Sequence, residues 1–253
     1  MNSKKSGGWP RIKKANYIRE KKIGIMQPYF FPYIGYFQLI NSVDEFVIYD
    51  NIEYVKKGWI NRNRILSKGE GRTITLPIKK GSDYCDIVDR DLSDNWGRDR
   101  KKLLNLIRSS YQKAPFFEET YEVIEGCLMG SDTNLFKFLF NSIKIINNHL
   151  NINTPVTISS SLMVDHSLKC QDKVISICKS LEADVYINPI SGVDLYDREE
   201  FFKNKICLHF IDSLPITYKQ FDLNHSPRLS IIDVMMFNSK GAIREYLNSY
   251  HLT

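Results

Sequence analysis

Apolar and polar positions along the chain follow two alternating patterns. Short apolar runs, typical of buried strands, are separated by stretches in which apolar residues recur every three to four positions. The runs predict strands at residues 22–26, 45–50, 155–159, 184–190 and 206–211. The helical period predicts helices at about 34–43, 170–182, 229–237 and 241–249. Because strands and helices alternate at both ends of the chain, we expect an α/β fold with a mainly parallel sheet and flanking helices.

The middle of the chain departs from this alternation. Residues 72–78 and 85–92 alternate apolar and polar side chains, which predicts two half-buried strands. Three predicted helices follow, at about 98–113, 116–129 and 132–149. We therefore expect a single α/β domain over residues 21–253, with a helical insertion at about 95–150.

Composition narrows the class of protein. The chain has 253 residues, of which 43% are hydrophobic and 25% charged, as in ordinary globular domains. It has neither an apolar run long enough for a transmembrane helix nor the apolar core of a signal peptide, so we expect a cytoplasmic protein without a membrane span. The five cysteines form no CxxC pair, and no phosphate-binding or histidine zinc motif occurs. We therefore expect reduced thiols, no metal and no tightly bound cofactor.

The positive charge is concentrated at the N-terminus. Eight lysines and arginines face a single acidic residue in the first 22 positions, whereas the rest of the chain is close to neutral. Blocks of like charge are usually solvated, so residues 1–20 are expected to form a disordered basic tail. The alternative is an arm that contacts anionic lipid, nucleic acid or an acidic partner.

The segment after the first predicted strand is rich in aromatic residues and contains two prolines, Pro28 and Pro32. Proline restricts the backbone, and the carboxyl end of a parallel strand is where α/β sheets bind ligands. The alternative is an aromatic plug over the core. Polar groups favour a site, and the candidate ligand-binding residues are Gln27, Tyr29, Tyr33, Tyr36 and Gln38.

A second polar cluster, residues 50–64, follows the second predicted strand and is expected at the same sheet edge. The candidate bases are the carboxylates Asp50 and Glu53. The candidate oxyanion donors are Lys57, Asn61 and Arg62. The candidate substrate contacts are Asn51, Lys56, Trp59 and Asn63. The alternative is a solvated turn anchored by the tryptophan.

Three further polar residues follow later strands. Ser160 lies in a run of serines after the strand at 155–159, and such serines more often cap a helix than bind a ligand. Asn188 lies near the end of the strand at 184–190 and Ser191 just after it, and both are expected at the same sheet edge. Asp165 and His166 are a weaker candidate for a base with an orienting acid, because sequence neighbours rarely face each other.

These segments together resemble the WbqC-like protein family, in matching order from about Lys22 to Asn238. The segments that carry the likeness are IGIMQPYFFPYIGYFQLI, EFVIYDNIEYVKKGWINRNRI, YQKAPFF, ISSSL, DVYINPISG, LYDREEF and LSIIDVMMFN. The resemblance implies a catalytic domain in the biosynthesis of O-antigen and other surface polysaccharides. The implied reaction is transfer of a glycyl or related acyl group to the amino group of a nucleotide-linked dideoxy amino sugar.

The first strand–helix–strand unit is also similar to the nucleotidyltransferase branch of the HUP fold. Enzymes of that branch hold phosphates with an HxGH-type histidine pair, where this chain has Pro28-Tyr29-Phe30-Phe31. This departure favours a donor that is already activated: a thioester on coenzyme A or an acyl carrier protein, or an aminoacyl ester such as aminoacyl-tRNA. The alternatives are an ATP-dependent amide ligase and a non-catalytic binding protein of the polysaccharide assembly. The oligomeric state stays open.

Overall fold

The computed structural model describes residues 19–82, 84–221 and 224–253, so the predicted basic tail lies almost entirely outside the described residues. The strands are β1 (Lys22–Met26), β2 (Glu45–Ile48), β3 (Arg62–Ser67), β4 (Glu70–Thr75), β5 (Val156–Ile158), β6 (Val185–Pro189), β7 (Cys207–Ser213) and β8 (Tyr250–Leu252). The helices are α1 (Ile34–Ser42), α2 (Trp96–Tyr111), α3 (Phe117–Leu128), α4 (Leu135–His149), α5 (Cys170–Ser180), α6 (Arg198–Lys203), α7 (Ile231–Phe237) and α8 (Lys240–Tyr246).

The main sheet has the strand order β5-β2-β1-β6-β7-β8. The first five strands are parallel, and β8 joins the edge of β7 antiparallel. The predicted α/β fold with a mainly parallel sheet is therefore confirmed. The chain moves outward from β1 through β2 to β5 and then returns to β6 on the other side of β1. The strand order thus reverses between β1 and β6, the position at which open α/β sheets bind ligands.

Helices cover both faces of the sheet. This explains why the central strands consist of continuous apolar runs in the sequence. Ile23 and Ile25 of β1 pack on one face in a core cluster with Val174 and Ile177 of α5. Phe46 and Ile48 of β2 belong to the larger core cluster, which includes α1 and the insertion helices. The alternation of inward side chains along β1 and β2 therefore divides the core into two layers.

Of the two strands predicted in the middle of the chain, at 72–78 and 85–92, the first is formed and the second is not. Residues 72–78 contribute to β4, which pairs antiparallel with β3, a strand that the sequence pattern does not predict. The strand predicted at 85–92 is wrong, because Ile87–Asp89 form a 3₁₀ turn. The amides of Ile87 and Val88 donate to the carbonyls of Ile52 and Asp50 in the loop after β2, so this segment packs on that loop instead of pairing with a strand along its length.

The insertion consists of α2, α3 and α4, and these helices begin and end within three residues of the predicted bounds. Phe117, Tyr121, Ile124 and Leu128 lie on the buried face of α3, at the spacing of an amphipathic helix. Across the described residues, none of the helices combines the length and the apolar character that crossing a bilayer requires.

Candidate functional site

A cavity of about 730 Å³, the switch-point cavity, opens between β1 and β6, where the strand order reverses. The loops after β1, β2 and β6 form part of its wall, and the N-terminal turn of α5 and the segment around Asp86 complete it. The polar and ionisable residues on the wall are Gln27, Tyr29, Tyr49, Asn51, Glu53, Asp86, His166, Lys169, Cys170, Gln171, Lys173, Tyr186, Asn188, Ser191 and Tyr196. The volume falls within the range of small-molecule sites, and many polar side chains converge on this one cavity.

Asn188 is held rigidly where β6 ends. Its Nδ2 donates to the hydroxyl of Tyr186 at 2.6 Å, and the side chain is 5% exposed. Gly192, in the 3₁₀ turn after β6, passes so close that a Cβ there would lie 2.2 Å from Asn188 Oδ1. The missing side chain at position 192 therefore leaves room for the asparagine amide, whose orientation is fixed before any ligand binds.

Lys173 is a buried cation on the cavity wall. It is 5% exposed, and its Nζ donates to the carbonyl of Asn51 at 3.1 Å and lies 4.9 Å from the ring centre of Tyr49. Burial lowers the pKa of Lys173, and the nearby carboxylates of Asp86 and Asp50 oppose that effect. The ammonium is therefore partly desolvated but remains in an acidic environment.

Asp86 is a carboxylate on the same cavity wall whose charge acts on this lysine. Burial raises its pKa, and so do the neighbouring charges of Asp89, Glu53 and Asp50, whereas Lys173 lowers it. A carboxylate with a raised pKa binds a proton more strongly than an exposed aspartate does, which suits a general base. The wall thus carries an acidic and a basic group whose pKa values are shifted towards each other.

The N-terminus of α5 opens onto the same cavity. Lys169 occupies the capping position without a side-chain cap, and Cys170 begins the helix at a φ of 50°. Both residues lie on the cavity wall together with Lys173. A helix N-terminus flanked by two lysines is a favourable environment for phosphate oxygens.

Six of the candidate residues from the sequence line this cavity: Gln27, Tyr29, Asn51, Glu53, Asn188 and Ser191. They share one property, since each lies at the end of β1, β2 or β6 or within five residues after it. The aromatic loop itself is mostly structural. Tyr36 donates to the carbonyl of Gln27 at 3.0 Å, and Gln38 is fully buried, with its amide donating to the carbonyls of Tyr246 and Ser249. Tyr33 lies near Ser213, away from the cavity lining.

Asp50 and Ser160 lie behind the cavity wall. Asp50 is 1% exposed, and its carboxylate accepts from the hydroxyl of Ser159 and from the amide and hydroxyl of Ser160. These contacts connect the ends of β2 and β5. All three contacts are hydrogen bonds from the two serines, so the geometry gives Asp50 a role in holding the two loops together.

The second half of the polar cluster, residues 56–64, does not lie at the sheet edge where the sequence predicted it. Asn61 accepts from Tyr54 and donates to the carbonyl of Leu76, while Asn63 donates to the carbonyls of Phe30 and Phe31. These asparagines therefore brace the β3–β4 hairpin against the aromatic loop. Arg62, Lys57, Lys56 and Trp59 also lie outside the cavity lining.

Arg62 is tied to the turn that precedes β3. Its Nε donates to the carbonyl of Gly58 at 3.0 Å, its Nη2 contacts the carbonyl of Lys57, and its guanidinium lies 5.9 Å from the ring centre of Trp59. The sequence correctly places Asn51 and Glu53 at the sheet edge. Beyond Val55, however, the chain leaves that edge to enter the hairpin.

The weaker aspartate–histidine candidate is not formed as a pair. Asp165 accepts from the amide and hydroxyl of Ser167. His166 instead lies beside Asn51, with 2.8 Å between Nδ1 and Asn51 Nδ2, and its Nε2 contacts the carbonyl of Leu162. Both ring nitrogens of this cavity residue are thus engaged, which fixes the orientation of the ring.

Sequence reasoning missed Asp86, Lys173 and Cys170 as residues of this cavity. For Lys173 a signal exists, because it lies four positions before Ile177 and therefore on the buried face of α5. Asp86 carries no comparable signal, since it was placed within a predicted strand. In the described part of the chain, no group of three or more histidine, cysteine, aspartate or glutamate side chains is arranged to hold a metal ion.

The sheet order defines an α/β protein of the doubly wound class, with a cavity at the position where such sheets bind ligands. The chain belongs to the WbqC-like protein family, whose model matches residues 27–245. It is also 27% identical over 231 residues to the uncharacterized protein Rv1507c of Mycobacterium tuberculosis, an alignment that covers 90% of this chain and 97% of that protein. No solved structure matches the chain.

Proposed function

We propose that the protein is an N-acyltransferase that moves an acyl or aminoacyl group, of the glycyl type, to the amino group of a nucleotide-linked amino sugar. The observation that carries the proposal is that Asp86 and Lys173 line the same cavity and influence each other electrostatically. A carboxylate with a raised pKa and a partly desolvated ammonium supply the two charges that amide formation requires. The proposed setting is the biosynthesis of O-antigen and related surface polysaccharides.

The reaction assigned to this pair proceeds by attack of a neutral amine on an activated carbonyl. Asp86 accepts the proton that the sugar amine loses as the C–N bond forms. Lys173, with its Nζ anchored to the carbonyl of Asn51, stabilises the developing oxyanion by its charge, as preorganised cations do in acyl-transfer sites. The bond between the carbonyl carbon and the donor then breaks, and the leaving thiolate or alkoxide takes up a proton.

The cavity has room and contacts for a nucleotide-linked sugar. Its volume of about 730 Å³ falls within the range of ligand pockets. Tyr29 offers a ring face, while Asn188 and Asn51 offer amides to hydroxyl groups of the sugar. Lys169 at the N-terminus of α5 is the proposed contact for the phosphates.

These assignments differ from those that the sequence suggested. Asp50, Asn61 and Arg62 engage their polar atoms in contacts within the fold, so the proposed base becomes Asp86 and the proposed oxyanion partner becomes Lys173. Glu53 stays a proposed second carboxylate at the cavity, because it lies on the wall and contributes to the raised pKa of Asp86.

The proposed co-substrate is a donor that is already activated, as a thioester or an aminoacyl ester. The loop after β1 carries proline and aromatic residues at the place where related ATP-dependent enzymes hold phosphates with histidines. Acyl-coenzyme A, an acyl carrier protein and aminoacyl-tRNA are the donors to be compared. No tightly bound cofactor is required for this reaction.

The experiment that tests the proposal is mass spectrometry of a nucleotide-linked amino dideoxy sugar after incubation with the purified protein. Parallel reactions contain acyl-coenzyme A, loaded acyl carrier protein, glycyl-tRNA, or free glycine with ATP. A mass gain on the sugar with one activated donor is the expected result. A gain only with glycine and ATP assigns the protein to the amide ligases instead. Binding of the sugar without a gain from any donor contradicts the proposal and supports a non-catalytic role.

A further inference from the structure

The charge of the chain after residue 22 is distributed unevenly. Residues 54–80 contain eight lysines and arginines but a single acidic residue, Glu70. The remaining residues after position 22 hold 19 basic and 27 acidic side chains, so the near-neutral total conceals a basic segment on an acidic body. That segment covers the turn before β3, the β3–β4 hairpin and the chain just after it. Clustered lysines and arginines of this kind are typical of a surface that binds a polyanion.

One face of the hairpin carries arginines and hydroxyl groups. In the antiparallel ladder Arg62 lies opposite Thr75 and Arg64 lies opposite Thr73, and both opposed and alternate residues share a face. Ile74, on the other face, is buried against the core. Both threonines are exposed and both arginines are half-buried, so this face of the hairpin is open to solvent.

The fold positions both arginines. The guanidinium of Arg64 lies against Gly71, where it leaves no room for a Cβ. Arg62 donates from its Nε to the carbonyl of Gly58 at 3.0 Å, and its guanidinium lies 5.9 Å from the ring centre of Trp59. That ring is 47% exposed. Two charges and an aromatic ring are therefore presented together before any ligand binds.

The basic segment begins at the rim of the switch-point cavity. Val55 lines that cavity and is 54% exposed. The amide of Gly58 donates to the carbonyl of Val55 at 3.2 Å, so residues 55–58 form a tight turn with Lys56 and Lys57 exposed at its centre. A ligand on this turn and on the hairpin therefore lies beside the cavity mouth. The basic hairpin surface, as we define it, consists of Lys56, Lys57, Trp59, Arg62, Arg64 and Lys68.

The composition of the basic hairpin surface favours a nucleic acid over an acidic protein. Lys57, Arg64 and Lys68 form no ion pair with any residue that the structure describes. Between residues 56 and 80, all of which the structure describes, Trp59 is the only exposed large hydrophobic side chain. Protein interfaces depend on an apolar centre, whereas nucleic acids are bound by lysine, arginine and hydroxyl groups on phosphates and by aromatic rings on bases.

We propose that the basic hairpin surface binds the phosphate backbone of a tRNA, whose aminoacyl ester is the donor that enters the switch-point cavity. The identity of the RNA rests on the proposed function, because aminoacyl-tRNA is the nucleic acid among the activated donors. The sugar amine attacks the ester carbonyl carbon and forms the C–N bond, and the bond from that carbon to the ribose oxygen breaks. The ribose oxygen takes up the proton that the amine loses, which leaves a tRNA with a free terminal hydroxyl.

The test is fluorescence anisotropy of a labelled, uncharged glycine tRNA with the full-length protein, without sugar or donor. We expect binding that weakens as salt is added, because phosphate contacts release counterions. Arg64→Gln should lower the affinity about tenfold and reduce the salt slope by about one, as expected for loss of one phosphate contact. Lys57→Gln changes an exposed turn residue, should act in the same direction, and serves if Arg64→Gln fails to fold.

Lys179→Gln is the matched control for loss of one positive charge. Lys179 is exposed at the end of α5 that points away from the cavity, and its replacement should leave the affinity nearly unchanged. Absence of tRNA binding at low salt, or equal affinities in all three variants, would overturn the inference. Tighter binding of a labelled acyl carrier protein, weakened by the same hairpin variants, would overturn it in favour of an acidic protein partner.

The activity assay separates this inference from the proposed function. With glycyl-tRNA as donor, Arg64→Gln should raise the KM for the tRNA about tenfold and change kcat little, because it removes a contact far from the reacting atoms. Transfer from a thioester by a protein that binds no tRNA would overturn the inference and leave the transferase proposal in place. Binding of tRNA through the hairpin without transfer from any donor would contradict the proposed function, while the RNA-binding surface would stand.

Discussion

Ser160 binds the carboxylate of Asp50 twice, with its hydroxyl 2.6 Å from Oδ2 and its amide 2.9 Å from Oδ1. Ser159 adds a third donor at 2.7 Å. An aspartate at the end of β2 thereby clamps the turn after β5, and these two loops belong to the framework behind the cavity. The same carboxylate also contributes to the electrostatic environment of Lys173 and Asp86.

The first prediction concerns this clamp. Asp50→Asn replaces an acceptor oxygen by an NH₂ group that faces hydroxyl and amide donors, so one buried contact is lost. The free energy of unfolding should fall by about 1–3 kcal/mol, as for other buried groups left unpaired. Urea denaturation followed by circular dichroism measures the change.

Asp212→Asn is the matched control for the clamp, because Asp212 is an exposed aspartate on β7. Its effect should stay within about 0.5 kcal/mol, as for surface substitutions in general. Equal stability of Asp50→Asn and the natural protein would show that Asp50 does not hold the two loops together.

The second prediction concerns the coupling of Lys173 with Asp86. The positive charge of Lys173 stabilises the carboxylate and so lowers the pKa of Asp86, against the raising effect of burial. Lys173→Met removes that charge, and the pKa of Asp86 should therefore rise further above the ordinary value of 3.8. Carbon-13 NMR of the Asp86 carboxyl group during a pH titration measures the shift.

The same rise in the pKa of Asp86 should change the pH dependence of the activity. If Asp86 must be deprotonated to act as the base, the acid limb of kcat/KM follows its pKa and should move to higher pH in Lys173→Met. Lys169→Met removes a cation from the same cavity wall that is not among the causes of the Asp86 shift, and it should leave the limb in place. A Lys173→Met protein in which the Asp86 pKa falls would refute the coupling.

The third prediction uses the close approach between Gly192 and Asn188. In Gly192→Ala the new Cβ would lie 2.2 Å from Asn188 Oδ1, so the amide must leave its position at the cavity floor. The affinity for the nucleotide-linked sugar should fall about tenfold, the loss expected for one hydrogen bond. Isothermal titration calorimetry measures the dissociation constant.

Gly126→Ala is the control for this substitution. A Cβ at position 126 of α3 meets nothing within 4 Å, and alanine is a better helix former than glycine. That variant should bind the sugar normally and be slightly more stable. An unchanged dissociation constant in Gly192→Ala would remove Asn188 from the proposed site.

The fold could be predicted from the sequence wherever burial sets the pattern. The runs that became β1, β2 and β6 are apolar on both faces because helices cover the sheet on each side, and such runs are unambiguous. The strand β3 was missed because its sequence, Arg62–Ser67, is rich in polar residues and owes its conformation to pairing with β4. The sequence wrongly predicts a strand at Ile87–Asp89, which form a 3₁₀ turn. Alternation of apolar and polar residues does not show which carbonyl groups the backbone amides of a segment will bind.

The site could be predicted only in part, for a related reason. Gln27 and Asn51 come shortly after parallel strands and Asn188 lies at the end of one, so topology alone brings them to the same edge of the sheet. Asp86 and Lys173 reach the cavity through the packing of a loop and a helix against that edge, and no local pattern encodes this contact. Polar residues such as Asn61 and Asn63 have the composition of a site but brace the backbone of neighbouring loops.

The central claim is that Asp86 accepts the proton of the sugar amine in the switch-point cavity. The most direct measurement is kcat for sugar acylation by Asp86→Asn, with the donor that the mass-spectrometric comparison identifies. Asp212→Asn is the matched control, because Asp212 is an exposed carboxylate that does not line the cavity and does not contribute to the shifted pKa of Asp86. We predict that Asp86→Asn lowers kcat by about 10²- to 10⁴-fold, as expected for loss of a general base, while Asp212→Asn stays near the natural rate. Near-full turnover by Asp86→Asn would contradict the account.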